Sequence, residues 1–274
     1  MLFDIDHPEV VDAVNRALYE DVGSGDITTD ACVPPDLRAE GRFTARQQMT
    51  VAGSELLHLL FDEVSIQKYS GDAASDGQAI AIVRGQARSL LTRERVALNL
   101  LQRLSGVATL ARRYVDAVQG TGVTILDTRK TTPGLRRLEK MAAEAGGATN
   151  HRIGLFDAVL IKNNHITLAG GIRPAVISAL GTDYPVEVEV RSRAEIDEAL
   201  HLGVDRLLLD NMTPEEARDE VRHIAGRAKV ELSGGITLDT VRAYAEAGPD
   251  YISVGAITHS AVAVDINLRI EPLA

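Results

Sequence analysis

Apolar residues fall along this chain in two rhythms. The first part reads as mixed α and β. In "HPEVVDAVNRALYEDVG", Val10, Val11, Val14, Ala17 and Leu18 fall on one helical face, and Gly23 supplies a stop. "GSGDITTD" reads as a loop, and "AEGRFTARQQMTVAG" alternates enough for a strand or a hairpin. "GDAASDGQAIAIVRGQARSLL" reads as a turn followed by a strand. "SLLTRERVALNLLQRLSG" predicts a strong helix that is apolar on more than one face, through Leu90, Leu91, Val96, Ala97, Leu98, Leu100, Leu101 and Leu104. Such a helix needs more than one partner, so it runs between two domains or into a subunit interface.

From about residue 106 the rhythm changes. Six short apolar runs recur: "VTILD" at 123–127, "AVLIK" at 158–162, "VEVEV" at 186–190, "RLLLD" at 206–210, "KVELSGG" at 229–235 and "YISVGA" at 251–256. Amphipathic segments such as "SRAEIDEALHLG" and "TLDTVRAYAEAG" separate some of them and end in Gly, as helices entering a loop do. Strand and helix in alternation predict a parallel sheet covered by helices. A closed or partly open barrel is the first reading. A doubly wound open sheet is the other, although the G-x-G-x-x-G fingerprint of dinucleotide binders is missing.

Composition narrows the function. The chain has 274 residues, 45% of them apolar, enough for a large α/β domain or a barrel with a smaller partner domain. No apolar run approaches the roughly 20 residues of a membrane helix, and "MLFDIDHPEV" has no apolar signal core. The single cysteine, Cys32, has no partner for a disulfide, which fits a reducing, cytoplasmic setting. The net charge, 29 − 39 = −10, argues against nucleic-acid or membrane-surface binding, and 4% aromatics without tryptophan argue against base stacking. A local cationic pocket remains compatible with this balance.

The chemistry lies at the carboxyl ends of the six runs. They carry Asp127, Arg129 and Lys130; Lys162; Glu189; Asp210; Ser233, Gly234 and Gly235; and Gly255. In parallel α/β folds that end of the sheet holds the ligand. One charged residue beyond a strand is an ordinary exit from the core, but a series at equivalent ends converges on one mouth. The glycine loops after the last two strands suit a phosphate, which needs close backbone approach; their bland alternative is a plain turn. "NHR" adds His151 and Arg152. Arg129, Lys130, His151, Arg152 and Lys162 together call for a multiply charged anion, since guanidinium forks match carboxylates and phosphates. Glu189 and Asp210 either hold Mg²⁺ or neutralise the cations beside them. The residues thus describe a magnesium-assisted enzyme acting on a sugar phosphate or pyrophosphate, with a second, carboxylate-bearing substrate.

The blocks "EDVGSGDITT", "ERVALNLLQRLSGVAT", "DTRKTTPGLRRLEK", "GGATNHRIGLFDAVLIKNNHI", "VEVEV", "LLLDNM", "ELSGGITL" and "YISVGAITHS" closely resemble the quinolinate phosphoribosyltransferase family, in family order from about residue 20 to 260. The resemblance implies an α/β chain: a mixed α/β N-terminal sandwich domain over 1–106, then an incomplete, six- to seven-stranded parallel α/β barrel over 107–274, whose extreme C-terminus packs back on the first domain. It implies phosphoribosyl transfer from phosphoribosyl pyrophosphate to quinolinate with decarboxylation, in NAD biosynthesis, with Mg²⁺ as cofactor, in a cytoplasmic homodimer or higher assembly. By resemblance, Arg129, Arg152 and Lys162 bind the quinolinate carboxylates, with His151 and Lys130 beside them and Arg136 lining the same basic pocket. Arg95 reaches the neighbouring subunit's site. Glu189 and Asp210 serve the ribose and the metal-bound pyrophosphate, and with Lys130 are the catalytic candidates. Ser233, Gly234, Gly235 and Gly255 hold the 5′-phosphate.

Two positions depart from the family pattern. Ala148 follows Gly146 and Gly147 where a third Gly is common, and Asn163 follows Lys162 where an acid is usual. Three rival readings are a molybdenum-utilisation relative with the same fold, a barrel lyase with a Schiff base on Lys162, and a non-catalytic phosphate-binding module. The retained "NHR" and "IKNNH" elements argue against the first.

Overall fold

The computed structural model describes residues 3–273. The chain opens with α1 (Pro8–Val22), α2 (Ile27–Cys32), β1 (Arg38–Ala45) and β2 (Met49–Thr50). A 3-10 turn (Ser54–Leu56) leads into α3 (Leu57–Leu60), β3 (Glu63–Ile66), β4 (Ala73–Ala74), β5 (Ala79–Gln86) and α4 (Ala87–Ala117). Then come β6 (Thr124–Leu126), α5 (Arg136–Ala145), β7 (Val159–Ile161), α6 (Asn163–Ala169), α7 (Ile172–Leu180), β8 (Val186–Val190) and α8 (Arg193–His201). The chain closes with β9 (Arg206–Asp210), α9 (Pro214–Ile224), β10 (Lys229–Ser233), α10 (Val241–Ala245), β11 (Tyr251–Ser253), α11 (Ala256–His259) and β12 (Ile266–Pro272).

Two compact units are formed. The first gathers the described residues of Met1–Arg112, Thr131–Gly147 and Ile257–Ala274. Its antiparallel sheet has the order β12-β1-β5-β3. The run "AEGRFTARQQMTVAG" is therefore not a hairpin: β1 pairs with β5 and β12, while β2 pairs with β4. Gly23 ends α1 at φ +52°, as its position in the sequence predicts. The "GSGDITTD" loop is shorter than expected. Asp26 accepts the Thr29 N–H at 2.9 Å and the Thr29 hydroxyl at 2.5 Å, and this cap starts α2 inside that stretch.

The long helix also runs past its predicted end near Gly106, to Ala117. Gly106 does not stop it, because the residue is there for closeness. A Cβ at Gly106 would lie 2.2 Å from the Val262 carbonyl oxygen, which is backbone and has nowhere to go. Gly106→Ala is expected to destabilise the fold by about 2 kcal/mol or more, measured by chemical denaturation, whereas alanine at an unstrained helix-interior glycine stabilises. In the same unit, buried Glu139 accepts Arg103 Nε at 3.0 Å and Nη2 at 2.7 Å, and takes the Thr132 N–H at 2.9 Å and hydroxyl at 2.7 Å. That node fixes the start of the "TTPG" turn.

The second unit comprises Arg113–Lys130 and Ala148–Ala256. Its six strands run parallel in the order β6-β11-β10-β9-β8-β7. All six correspond to the apolar runs of the sequence. The edge strands β6 and β7 do not pair with each other, so the barrel is incomplete. Beside β6 the chain folds back: Thr149 donates to Ile125 and accepts from Asp127, at 2.8 and 3.1 Å. In β8 all five residues of "VEVEV" are buried. Period two puts the valines on one face and Glu187 and Glu189 on the other, so the carboxylates point into the barrel.

Candidate active site

A cavity of about 390 Å³ opens in the second unit at the carboxyl ends of the strands. Thr128, Arg129 and Lys130 reach it from beyond β6, and Lys162 from the end of β7. Glu189 comes from β8, Asp210 from β9, Glu231 and Ser233 from β10, and Ser253 from β11. Gly234 and Gly235 complete the turn after β10, and His151 and Arg152 come from the segment that folds back beside β6. Ten of the thirteen residues expected from the sequence to form the site therefore share one cavity. Gly255 follows β11 but is not among the lining residues; Arg95 and Arg136 belong to the first unit. Arg95 is exposed on α4, and Arg136 opens α5, its Nε donating to the Thr131 hydroxyl at 3.0 Å.

The local chain explains each placement. Asp127, fully buried at the end of β6, accepts the His151 N–H at 2.8 Å and so ties the "NHR" segment to that strand end. The Asp157 carboxylate takes the N–H groups of Ile153 and Gly154 at 2.7 and 3.0 Å, and Arg152 Nη1 donates to the Ala158 carbonyl at 3.0 Å. This compact loop delivers the Arg152 guanidinium to the cavity. Burial and the neighbouring Arg129 charge both lower the Arg152 pKa below its ordinary value. Two guanidinium groups sharing one cavity are a site that an anion relieves. Lys162 caps α6, with its N–H donated to His165 Nδ1 at 2.9 Å. Its ammonium lies 3.6 Å from Glu189, whose other oxygen meets Arg191 at 3.1 Å.

The phosphate side is built from backbone. Asn211 stands in the left-handed region at φ +58°, donates its N–H to Ser233 O at 2.9 Å and its side-chain amide to Asp210 at 2.6 Å. Gly234, at φ +100°, packs directly on Asn211, and Gly235 follows at φ +62° with open space around it. Four permanent cations, Arg129, Lys130, Arg152 and Lys162, thus face three carboxylates in a chain of net charge −10.

Below this cavity lies a cluster that the sequence reading did not single out. Glu187, Arg206 and Glu231 stand on the neighbouring strands β8, β9 and β10, and Glu187 is in register with Arg206. Arg206 bridges both acids, Nε to Glu187 at 3.0 Å and Nη2 to Glu231, and stacks 4.2 Å from the Tyr251 ring centre. His151 Nε2 approaches Glu187 at 3.2 Å and Glu231 at 3.5 Å. Burial disfavours the Glu231 anion, but His151, Arg206 and Ser253 more than offset it and lower its pKa; for Glu187 burial dominates and raises it. Burial also opposes a charge on His151, and the two carboxylates outweigh it, pushing its pKa up to about 9. The Arg152 N–H works the other way, because it points at Nδ1 from 2.7 Å and that nitrogen must then carry no proton. The ring proton that the geometry fixes is the one on Nε2, facing the two carboxylates. His151, Glu187 and Glu231 have a metal-ligand grouping, but Arg206 already occupies both carboxylates. Period-two alternation of acids in buried strands was the available signal for this cluster.

Residues 107–269 match the family described as quinolinate phosphoribosyl transferase, C-terminal domain, and residues 26–105 match its N-terminal domain. The nicotinate-nucleotide pyrophosphorylase (carboxylating) of Mycobacterium leprae (strain TN) is 40% identical over 282 residues, covering 98% of this chain and 99% of that protein. The chloroplastic enzyme of the same name from Oryza sativa subsp. japonica is 40% identical over 286 residues, covering 94% of this chain and 76% of that protein. Among solved structures, NadC from Streptococcus pyogenes superposes with a TM-score of 0.91 at 38% identity, covering 98% of this chain and 97% of that one. On the strength of these matches along nearly its whole length, this chain belongs to the quinolinate phosphoribosyl transferase family.

Proposed function

We propose that this chain transfers the phosphoribosyl group of phosphoribosyl pyrophosphate to the ring nitrogen of quinolinate, releasing pyrophosphate and CO₂ and forming nicotinate mononucleotide for NAD biosynthesis. The observation that carries the reading is the convergence of four permanent cations and a double-glycine turn on one cavity at the carboxyl ends of a parallel barrel. Arg129, Arg152 and Lys162 hold the two quinolinate carboxylates, with Lys130 and His151 beside them. Ser233, Gly234, Gly235 and Gly255 hold the 5′-phosphate by close backbone approach. The clamps align the pyridine nitrogen with C1 of the ribose as the C1–oxygen bond to pyrophosphate breaks. Lys130 stabilises charge on the departing pyrophosphate.

Once bonded to C1, the ring nitrogen is cationic. The bond from C2 to its carboxylate then breaks, its electron pair remains on the ring beside that cation, and C2 takes a proton from solvent as CO₂ departs. The ring is the electron sink, so no covalent enzyme nucleophile is required. Glu189 and Asp210 suit Mg²⁺ in donor type, since two carboxylates with substrate phosphates and water form an all-oxygen shell. Bound there, the ion would supply countercharge to the pyrophosphate. Lys162 stands 3.6 Å from an acid and is half exposed, the opposite of the desolvated lysine that a Schiff base needs.

Exposed Arg95 extends from α4 into the site of a partner copy in a cytoplasmic homodimer or larger assembly. Among the described residues no helix is long and apolar enough to cross a membrane. The test mixes an inactive Arg95→Ala protein with an inactive Lys162→Ala protein. Mixed dimers in which each site draws on both chains regain activity in a fraction of their sites. No recovery after subunit exchange, verified by mass spectrometry, rejects the shared site. Chelation of Mg²⁺ by EDTA is expected to abolish product formation in the unmixed protein and added Mg²⁺ to restore it.

A further inference from the structure

Histidine beside a cluster of cations invites the reading that its ring donates to the substrate. The geometry around His151 points elsewhere. Each ring nitrogen already has a protein partner. Nε2 faces Glu187 at 3.2 Å and Glu231 at 3.5 Å, and Nδ1 receives the Arg152 N–H at 2.7 Å. The backbone of His151 is held as well, its N–H donated to buried Asp127 at 2.8 Å. The two acids are themselves fixed by Arg206, so the ring rests in a cradle contributed by three adjacent strands.

We propose that His151 is a positioning residue, not a ligand of the substrate. Held by Glu187, Glu231 and Arg206, its ring fixes the Arg152 backbone and places a hydrogen-bonded N–H between the anion cavity and the carboxylates beneath it. This deepens the reading given above and rests on it, because Arg152 is one of the groups that hold quinolinate. Two physical consequences follow. The chain from Glu231 through Nε2, Nδ1 and the Arg152 N–H sets where the guanidinium leaves the backbone, so an error in the cradle becomes an error in the carboxylate clamp. Glu231 also lines the cavity, and its negative charge would repel a dianionic ring if the imidazole N–H and the Arg206 guanidinium did not engage it. The cradle therefore acts on the quinolinate side of the site and leaves the phosphate side, built from Asn211 and Gly234, untouched.

The test uses the full-length protein carrying ¹⁵N-histidine, with Glu187→Gln, Glu231→Gln and Glu231→Asp variants. Glutamine keeps the size of the side chain but can offer an N–H to Nε2, which forces the ring to change tautomer or turn. Either glutamine variant is expected to raise the KM for quinolinate about tenfold, the cost of mispairing one buried hydrogen bond, while the KM for phosphoribosyl pyrophosphate stays within about twofold. Glu231→Asp keeps the charge and should recover part of the loss. In the ligand-free spectrum the glutamine variants are expected to move the His151 ring resonances. In the wild type those resonances are expected to hold still as quinolinate saturates the site. Equal changes in both KM values, with a matching fall in thermal stability, would mean a merely structural cluster and overturn the proposal. So would a wild-type Nε2 resonance that moves on adding quinolinate, because the ring would then bond the substrate. If a glutamine variant fails to fold, the wild-type titration and Glu231→Asp decide alone. If the wild type makes no nicotinate mononucleotide, the proposed function falls, and the ligand-free spectra still decide whether the cradle sets the ring.

Discussion

Arg152→Ala is expected to raise the KM for quinolinate roughly a hundredfold while leaving the thermal stability of the ligand-free protein unchanged or slightly higher. Both halves come from the same geometry. The Arg152 guanidinium shares the cavity with Arg129, and burial and that neighbouring charge both disfavour its charged form. In the free protein the pair is held together at a cost. Truncating one member relieves that cost and sacrifices one side-chain hydrogen bond, to the Ala158 carbonyl at 3.0 Å, and the weaker attraction of Asp157 and Glu187. With an anion bound, the same guanidinium makes charge-assisted hydrogen bonds worth about 1.5–3 kcal/mol, or roughly ten- to a hundredfold in affinity. A residue that merely supported the fold would lose stability and activity together. Steady-state kinetics beside thermal denaturation separate the two cases, and Arg152→Lys should recover little, because an ammonium cannot match a carboxylate through a planar fork.

Gly234→Ala is expected to cut kcat/KM for phosphoribosyl pyrophosphate by roughly a hundredfold or more, and Gly235→Ala far less. A Cβ at Gly234 would fall 2.2 Å from Asn211 Oδ1 and 2.7 Å from the Asn211 backbone nitrogen, in a backbone conformation at φ +100° that side chains rarely adopt. Asn211 cannot retreat freely. Its own φ is +58°, its N–H is bonded to Ser233, and its amide steadies Asp210. The clash is therefore transmitted to both the phosphate turn and an acidic residue of the cavity, a displacement to which catalysis is steeply sensitive. At Gly235 nothing lies within 4 Å of the added Cβ. Within the protein itself the cost there is a left-handed φ, about 1–2 kcal/mol. Measured side by side, two adjacent glycines that look alike in "SGG" should differ by more than an order of magnitude.

Much of this was legible in the chain. Each of the six barrel strands announced itself as a short apolar run, and the charged residues at their carboxyl ends met in one cavity because parallel strands must present those ends together. The first unit was harder to read. β12 pairs with β1 across more than two hundred residues, a contact that no local pattern encodes. α4 outran its predicted end because Gly106 answers to a close carbonyl of Val262 and not to helix propensity. The buried cluster was missed for a different reason. "VEVEV", "RLLLD" and "KVELS" read as apolar runs, yet Glu187, Arg206 and Glu231 point inward from adjacent strands, where Arg206 bridges the two acids. Charge inside a barrel is visible in sequence only when register is known. The pairing of Arg129 with Lys130 is clear by contrast: the turn needs Pro133 and Gly134, and the two cations belong to the cavity.

The most direct test supplies quinolinate labelled in its C2 carboxylate, together with phosphoribosyl pyrophosphate and Mg²⁺, and follows label release and nicotinate mononucleotide in the same samples. The account predicts that CO₂ and nucleotide appear in equal amounts, and that unlabelled nicotinic acid, which lacks the second carboxylate, neither competes nor is converted. Nucleotide formed from nicotinic acid at a comparable rate, or no nucleotide from quinolinate by folded protein, would contradict it.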